Sequence, residues 1–176
     1  MEDDILDEEL SMMYEGSDKM KVLDSSTFTK PIKNLRVKKP LTLVRDRTVQ
    51  DAVTLLNQKR GSCLLITDKN KLVGILTERD IIRKALGKEK DLSKMKVQDI
   101  MTPDPQALQP DDSIAFIMNA MHVGGYRHVP IVDEQNRPIA TVSVRDILGF
   151  IAEQFTEEVI NLPPKPIRKT KEREGA

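Results

Sequence analysis

Residues 72–81 read Leu-Val-Gly-Ile-Leu-Thr-Glu-Arg-Asp-Ile, and this stretch decides the fold. Its apolar first half predicts a buried strand, and the polar residues after it predict the start of a helix. Thr77 and Asp80 lie at the junction, three residues apart. A near-copy, Pro-Ile-Ala-Thr-Val-Ser-Val-Arg-Asp-Ile, occupies residues 138–147, which is 66 residues further on (72 to 138). The chain therefore contains an internal duplication.

The duplication extends beyond the junction, where Ser143 and Asp146 take the places of Thr77 and Asp80. Each copy reads strand–helix–strand–strand–helix, so the predicted class is α/β (or α+β) with a small mixed sheet. One copy of about 55 residues would be marginal alone. We therefore expect two βαββα repeats, related by a pseudo-twofold axis, to pack sheet to sheet and share a core.

Composition favours a cytoplasmic protein. The chain has 176 residues, of which 39% are hydrophobic and 32% charged, and 28 basic side chains balance 28 acidic ones. A net charge of zero gives no general attraction to nucleic acid or to a membrane surface. Cys63 is the one cysteine and cannot form an internal disulfide, and no apolar run approaches the roughly 20 residues that span a bilayer.

Charge and proline content divide the chain into four segments. Residues 1–30 are acidic and predicted to be disordered, since residues 1–20 carry eight acidic side chains and one lysine. The first repeat is assigned to residues 31–95 and the second to residues 96–161. Residues 162–176 form a basic, Pro-containing tail that is predicted to be disordered. Its five basic residues have no interleaved aromatics, so nucleic-acid binding is not predicted.

Helix boundaries follow from caps and stops. Thr48 with Asp51 predicts a capping box at a helix that ends at Gly61. In the second copy, Ser113 is the predicted cap. Residues 78–86 are predicted to form a helix. Four of its side chains are expected to face inward: Ile81, Ile82, Ala85 and Leu86.

The junction residues suit an anionic ligand. A helix N-terminus offers free N–H groups and partial positive charge, and a hydroxyl there adds a donor for phosphate. A carboxylate such as Asp80 can accept from two ribose hydroxyls, and Gly74 would let ligand or backbone approach closely. The same Thr-x-x-Asp and Ser-x-x-Asp spacing is also a capping box with Asp in place of Glu. Spacing alone leaves both readings open.

Basic residues distinguish the second copy. Arg127 and His128 enter its central strand, where the first copy has Ser62 and Cys63. Arg145 lies at the start of the following helix. These groups are candidates for neutralising phosphate, whereas the alternatives are a solvated or paired arginine and a hydrogen-bonded histidine. With two histidines and one cysteine no metal-ligand set is predicted, and without a nucleophile–base pair no enzyme is predicted either.

These features resemble the CBS domain family, whose members occur in tandem pairs called Bateman modules. The resemblance covers about residues 31–160. The family's marker is Gly, an apolar residue, any residue, Thr or Ser, two residues, then Asp or Asn. Residues 74–80 match it fully, whereas the second copy matches at Ser143 and Asp146 but has Ala140 where Gly is usual.

The resemblance implies one cleft per repeat that holds an adenosine ligand: AMP, ADP or ATP first, with S-adenosylmethionine or NAD as further candidates. The motif Asp would hold the ribose and the Thr or Ser the phosphate. Family members use basic residues near Arg127 and His128 for phosphate, so the second cleft suits a polyphosphate better. The family also implies a disc-like homodimer that regulates an attached domain or a partner. Since this chain is expected to stand alone, its effector protein is unidentified.

The leading interpretation is thus a regulatory module that binds an adenosine-containing nucleotide and signals by a change in shape or partner affinity. The alternative is a structural module that works through dimerisation and protein interaction and has vestigial ligand sites. Ala140 and the lack of an attached effector domain motivate that alternative.

Overall fold

The structure is a computed structural model that describes residues 25–86 and 91–154. Most of each repeat lies in one compact unit, Ser26–Phe150. The predictions for residues 1–24 and for the tail at 162–176 fall outside the described residues. Within the segment predicted to be disordered, Ser25–Thr29 form a short helix instead. The Thr29 hydroxyl closes its turn by donating to the Ser26 carbonyl (2.8 Å).

The described elements alternate strands and helices in the predicted repeat order, which confirms a mixed α/β class. None of the helices in these two ranges is long and apolar enough to cross a membrane. In chain order the elements are α1 (Ser25–Thr29), β1 (Thr42–Val44), α2 (Val49–Lys59), β2 (Cys63–Asp68), β3 (Lys71–Thr77), α3 (Glu78–Asp80, continued as a π-helix over Ile81–Ala85), β4 (Thr102–Pro103), α4 (Ile114–Gly124), β5 (His128–Val132), β6 (Pro138–Ser143) and α5 (Val144–Gln154).

The strands form one sheet of four and one of two. In the first, β1 runs parallel to β2, and the pairs β2–β3 and β3–β4 are antiparallel. In the second, β5 and β6 form an antiparallel hairpin. A parallel bridge from Leu108 to Ile131 stands where the first repeat has β1. The mixed sheet predicted from the sequence is therefore present.

Turn chemistry sets the register of the first hairpin. Lys69 and Asn70 both have positive φ, 47° and 64°, as a two-residue turn between twisted strands requires. The second hairpin has a longer loop, between Val132 and Pro138. Its Asn136 contacts the other repeat, because the Leu72 N–H donates to the Asn136 carbonyl (2.8 Å) and the Asn136 amide donates to the Leu72 carbonyl (3.1 Å).

The two repeats share a core, as expected from the size of one copy. Leu65, Leu72 and Ile75 of the first sheet are buried with Val132 of β5, and Ala107 packs against them. A second cluster under the helices of the first repeat is aliphatic as well. Its best-buried members are Val49, Ala52, Leu64, Ile66, Leu76, Ala85 and Val97.

The segment that precedes each repeat docks on the other one. The Ile32 N–H donates to the Asp112 carbonyl (2.8 Å), which ties the lead-in of the first repeat to the second. Correspondingly, the Val97 N–H donates to the Arg47 carbonyl (2.9 Å) and ties the linker to the first repeat. Each of these segments therefore makes backbone hydrogen bonds across the boundary predicted between the repeats at 95 and 96.

Two cap predictions differ in detail from the structure. The helix α2 ends at Lys59, and its C-cap is Arg60 in the left-handed conformation (φ 48°), one residue before the predicted stop at Gly61. A Cβ at Gly61 would lie 2.5 Å from Leu41 Cδ1, so the Leu41 side chain would have to move. Ser113 does occupy the N-cap of α4, but its hydroxyl makes no cap hydrogen bond.

The inward face of α3 is narrower than predicted. Ile81 and Ala85 are buried, whereas Ile82 and Leu86 are 60% and 59% exposed. The apolar residues form two adjacent stripes along the helix. The sheet and α2 cover the stripe of Ile81 and Ala85 but not the stripe of Ile82 and Leu86. The prediction that Ile82 and Leu86 point inward was therefore wrong for the single chain.

Candidate functional site

Each candidate site is a junction at which a strand passes directly into a helix. Thr77 ends β3 in an extended conformation (φ −116°, ψ 163°) and caps α3. The first helical N–H, that of Glu78, donates to the Ser62 carbonyl (3.3 Å). In the second copy the Val144 N–H donates to the Arg127 carbonyl (3.1 Å) in the same way. The neighbouring strand thus holds both junctions in the same backbone geometry.

The motif carboxylates cap their own helices. Asp80 Oδ2 accepts from the Thr77 N–H (3.0 Å) and hydroxyl (2.7 Å). Asp146 Oδ2 accepts from the Ser143 N–H (2.7 Å) and hydroxyl (2.6 Å). Both motifs therefore form the capping boxes that their spacing predicted. This capping does not exclude ligand binding, because a carboxylate has a second oxygen with free lone pairs.

The second oxygen is where the junctions differ. Asp80 Oδ1 pairs with Lys84 Nζ at 2.8 Å, and Lys84 Nζ also donates to the Ile100 carbonyl at 2.8 Å. Burial alone would raise the pKa of Asp80, but the hydrogen bonds from Lys84 and Thr77, together with the charge of Lys84, hold that pKa below its usual value. Among the residues that the structure describes, Asp146 Oδ1 has no such partner, and the position four residues on is Phe150.

Sequence reasoning missed Lys84. The signal was available, since Asp and Lys four residues apart on a helix are a favourable pair. Asp80 and Lys84 have this spacing and Asp146 and Phe150 do not.

Cross-strand pairing puts a different side chain beside each hydroxyl. Cys63 stands opposite Thr77, and His128 stands opposite Ser143. Burial and the charge of Asp80 raise the pKa of the Cys63 thiol to about 12, so the thiol stays protonated. Burial and the neighbouring Arg127 lower the pKa of His128, and Asp146 opposes them. His128 is therefore mostly neutral at pH 7.

One side-chain hydrogen bond joins the two repeats at these junctions. Ser62 Oγ lies 3.0 Å from His128 Nε2, with the donor set by the imidazole tautomer. The sequence placed Ser62–Cys63 and Arg127–His128 in matching strands but did not predict this contact. Ser62 matches Arg127 in the repeat, so this contact joins residues one position out of register, and the repeat offset alone did not predict it.

The remaining predicted site residues differ in how exposed they are and in which side chains they contact. Arg127 lies near enough to His128 to influence its charge, and both Arg127 and Arg145 have exposed side chains. Gly74 is buried, and the side chain that approaches it is Met101 from the inter-repeat linker, which a Cβ at Gly74 would overlap. The structure thus groups Thr77 with Asp80, and Ser143 with Asp146 and His128.

An apolar cavity of about 320 Å³ opens between α2 and α3. Its described lining includes none of the motif hydroxyls or carboxylates, and Glu78 is the one charged residue in that lining. None of these lining residues is basic, so none of them could pair with an anionic ligand. Its apolar lining residues are Val53, Leu56, Ile81, Ile82, Leu86 and Leu92.

Comparison with known proteins identifies the family. The sequence pattern of the CBS domain matches residues 32–87 and 97–153, so the chain belongs to the CBS domain family and contains a tandem pair. The CBS domain-containing protein CBSCBSPB5 of Arabidopsis thaliana is 33% identical over 106 residues, which is 60% of this chain. The matched part is 19% of that relative, so the chain spans about a fifth of the length of the curated relatives it matches first.

Solved structures agree on the fold. The CBS domain pair of protein MJ0100, in complex with 5-methylthioadenosine and S-adenosyl-L-methionine, is 28% identical with a TM-score of 0.63. The match covers 69% of this chain and 98% of that one. The CBS domain protein PAE2072 from Pyrobaculum aerophilum, complexed with AMP, has a TM-score of 0.64 over 72% of this chain and 98% of its own. At 23% identity it supports the fold alone.

Proposed function

We propose that this chain is a regulatory module that binds an adenosine-containing nucleotide at its strand–helix junctions. The observation that carries the proposal is the duplicated Thr/Ser–Asp junction, in which one motif carboxylate, Asp146, keeps an oxygen without a partner among the described residues. The similarity to a CBS pair whose complex holds two adenosine compounds supports the same ligand class. Binding would signal through a change in shape or in affinity for an unidentified effector protein.

In the second junction, Asp146 would accept from the ribose hydroxyls, and the Ser143 hydroxyl would turn its one proton from Asp146 to the phosphate. Arg127, His128 and Arg145 would supply the positive or donor groups around it. A helix N-terminus favours an anion at this point, and charged hydrogen bonds are about twice as strong as neutral ones. AMP, ADP or ATP is the first ligand candidate, and S-adenosylmethionine or NAD the next.

In the first junction, Thr77 and Asp80 would have the corresponding roles. Gly74 would contribute indirectly, because its lack of a side chain lets Met101 pack against β3. Cys63 stands opposite Thr77 in place of His128, so this junction offers no basic strand neighbour for phosphate. We also keep the expectations that the protein is cytoplasmic and is not an enzyme, on the grounds of its single cysteine and of the regulatory role proposed here.

A thermal-shift experiment with AMP and with S-adenosylmethionine tests the proposal. The Asp80→Ala and Asp146→Ala double variant should lose the ligand-dependent rise in melting temperature. Asp51→Ala is the matched control, because Thr48 and Asp51 form the same capping box away from either junction and its loss should leave the shift intact. A full shift in the double variant would show that the site assignment is wrong.

A homodimer is the second candidate, and exposed apolar residues on three helices favour it. We infer that a second copy of this chain covers them, whether or not the ligand sites are functional. Burying such side chains is the main driving force of association. The residues are Ile82 and Leu86 on α3, Phe116 and Val123 on α4, and Leu148 on α5.

Sedimentation of the full chain tests this surface. Phe116→Glu with Leu148→Glu should convert a dimer to a monomer. Val44→Glu, an equally apolar exposed residue on β1, should not. A protein that dimerises but shows no calorimetric binding of any adenosine compound would have only the structural role. Micromolar binding of any one of these compounds would show that the ligand sites are functional and not vestigial.

A further inference from the structure

We propose that Lys84 is a built-in competitor for the ribose-binding oxygen of the first junction, so that the two sites of one chain are unequal and the second fills first. This inference rests on the proposed function and adds to it the residue that decides which site is open. The inference concerns the ligand-free protein, in which Lys84 and not a ligand pairs with the Oδ1 atom of Asp80.

The geometry leaves little of Asp80 available. Its Oδ2 accepts twice from Thr77, and its Oδ1 is held by Lys84 Nζ at 2.8 Å. The Asp80 side chain is only 16% exposed. A ribose hydroxyl can reach Oδ1 only when the ammonium group withdraws.

Withdrawal of Lys84 carries a further cost. The same Nζ donates to the Ile100 carbonyl at 2.8 Å, and Ile100 is buried. Breaking the Asp80 contact would therefore disturb two charge-assisted bonds. A carbonyl left without a donor in a buried segment is unfavourable. The lysine also ties the first motif to the linker that leads into the second repeat.

Within residues 25–86 and 91–154, no side chain restrains the second junction in the same way. Phe150 occupies the position four residues after Asp146 and carries no charge that could pair with a carboxylate. The backbone caps are otherwise the same in both junctions. The difference between the sites thus comes from one side chain outside the motif.

Isothermal titration with AMP, and in parallel with S-adenosylmethionine, measures the inequality. The wild-type chain should bind one molecule of the ligand that it accepts at the second junction, with the first junction about 10- to 100-fold weaker, as expected when a charged hydrogen bond must be displaced. Lys84→Met should bring the stoichiometry close to two and leave the first affinity unchanged. Arg83→Met removes the same charge from an exposed neighbour and should behave as wild type.

The outcomes separate the inference from the function. Two equal sites in the wild-type chain would overturn the inference while the function stands. Weaker binding in Lys84→Met would make the lysine a ligand-binding group and also overturn it. No binding by any variant would reject the proposed function.

A ligand-free measurement tests the pairing by itself. Carboxyl NMR titration should show that the pKa of Asp80 rises in Lys84→Met but not in Arg83→Met. An unchanged pKa would show that Lys84 does not hold Asp80 in solution, and the inference would fail whatever the ligand does.

Discussion

The two strand–helix junctions are built on the same backbone and differ in the side chains that surround it. In both, the motif carboxylate accepts from the N–H and hydroxyl of the cap residue, and the neighbouring strand accepts the first helical N–H. At the first junction Lys84 occupies the remaining carboxylate oxygen and Cys63 lies opposite the hydroxyl. At the second, His128 lies opposite the hydroxyl and Phe150 replaces the lysine.

This comparison shows which part of a duplicated site is free to diverge. The cap is fixed by local geometry, because a hydroxyl or carboxylate must satisfy the helix N–H groups in either copy. The groups around it come from other elements and serve different purposes. A ligand-free cap and a ligand site can therefore share one motif, and the motif alone does not distinguish them.

Gly74 and Ala140 give the largest expected difference in stability. Gly74→Ala should lower the free energy of unfolding by about 1–3 kcal/mol, because the new methyl group overlaps Met101 and overpacks the core. The reciprocal change Ala140→Gly should cost about 0.5–1 kcal/mol through chain entropy alone. Urea denaturation measures both.

A double variant identifies the cause at Gly74. Gly74→Ala combined with Met101→Ala should be more stable than the sum of the two single losses predicts, since the overlap disappears. If Gly74→Ala leaves stability unchanged and weakens nucleotide binding instead, Gly74 serves the ligand and not the packing of Met101.

The helix caps that open α2 and α4 give a smaller difference. Thr48 accepts from the Asp51 N–H (3.1 Å), whereas the Ser113 hydroxyl makes no cap bond. Thr48→Ala should therefore cost about 0.5–2 kcal/mol, and Ser113→Ala should stay within about 0.5 kcal/mol of wild type. Thermal denaturation of both variants checks this, and equal losses would show that Ser113 caps α4 in solution.

The smallest effect concerns the pH dependence at His128. Its pKa is lowered in the folded state, so the unfolded chain takes up a proton first as the pH falls through 6.5. The contribution of His128 to the free energy of unfolding is fully present above pH 6.5 and is lost as the pH falls below 6.5. Stability should therefore decrease between about pH 7.5 and 5.5.

Denaturation at several pH values in this window measures the effect. His128→Gln should flatten the decrease. His122→Gln is the matched control, because His122 is the other histidine of the chain and lies exposed on α4, so this variant should keep the wild-type slope. The same slope in all three proteins would show that His128 is not the group that titrates.

Much of the fold could be predicted because it depends on neighbours in sequence. The turn at Lys69 and Asn70, the capping box at Thr48 and strand β5 follow from local chemistry and hydrophobic pattern. Predictions failed where the burial of a side chain depends on elements that are distant in sequence but adjacent in space. Ile82 and Leu86 are apolar yet exposed, because the elements that pack on α3 cover only its adjacent stripe.

The sequence by itself determined that the chain is a duplicated α/β module with a hydroxyl and a carboxylate at each strand–helix junction, since these follow from periodicity and from the spacing of caps. Only the tertiary structure decided that each lead-in docks on the other repeat, that Ser62 meets His128, and that Lys84, besides pairing with Asp80, reaches the Ile100 carbonyl. Apart from the Asp80–Lys84 pair, these contacts join residues 16 to 80 positions apart, and their distances depend on how the elements pack. The inequality of the two junctions first recognised at residues 72–81 therefore rests mainly on groups outside that stretch.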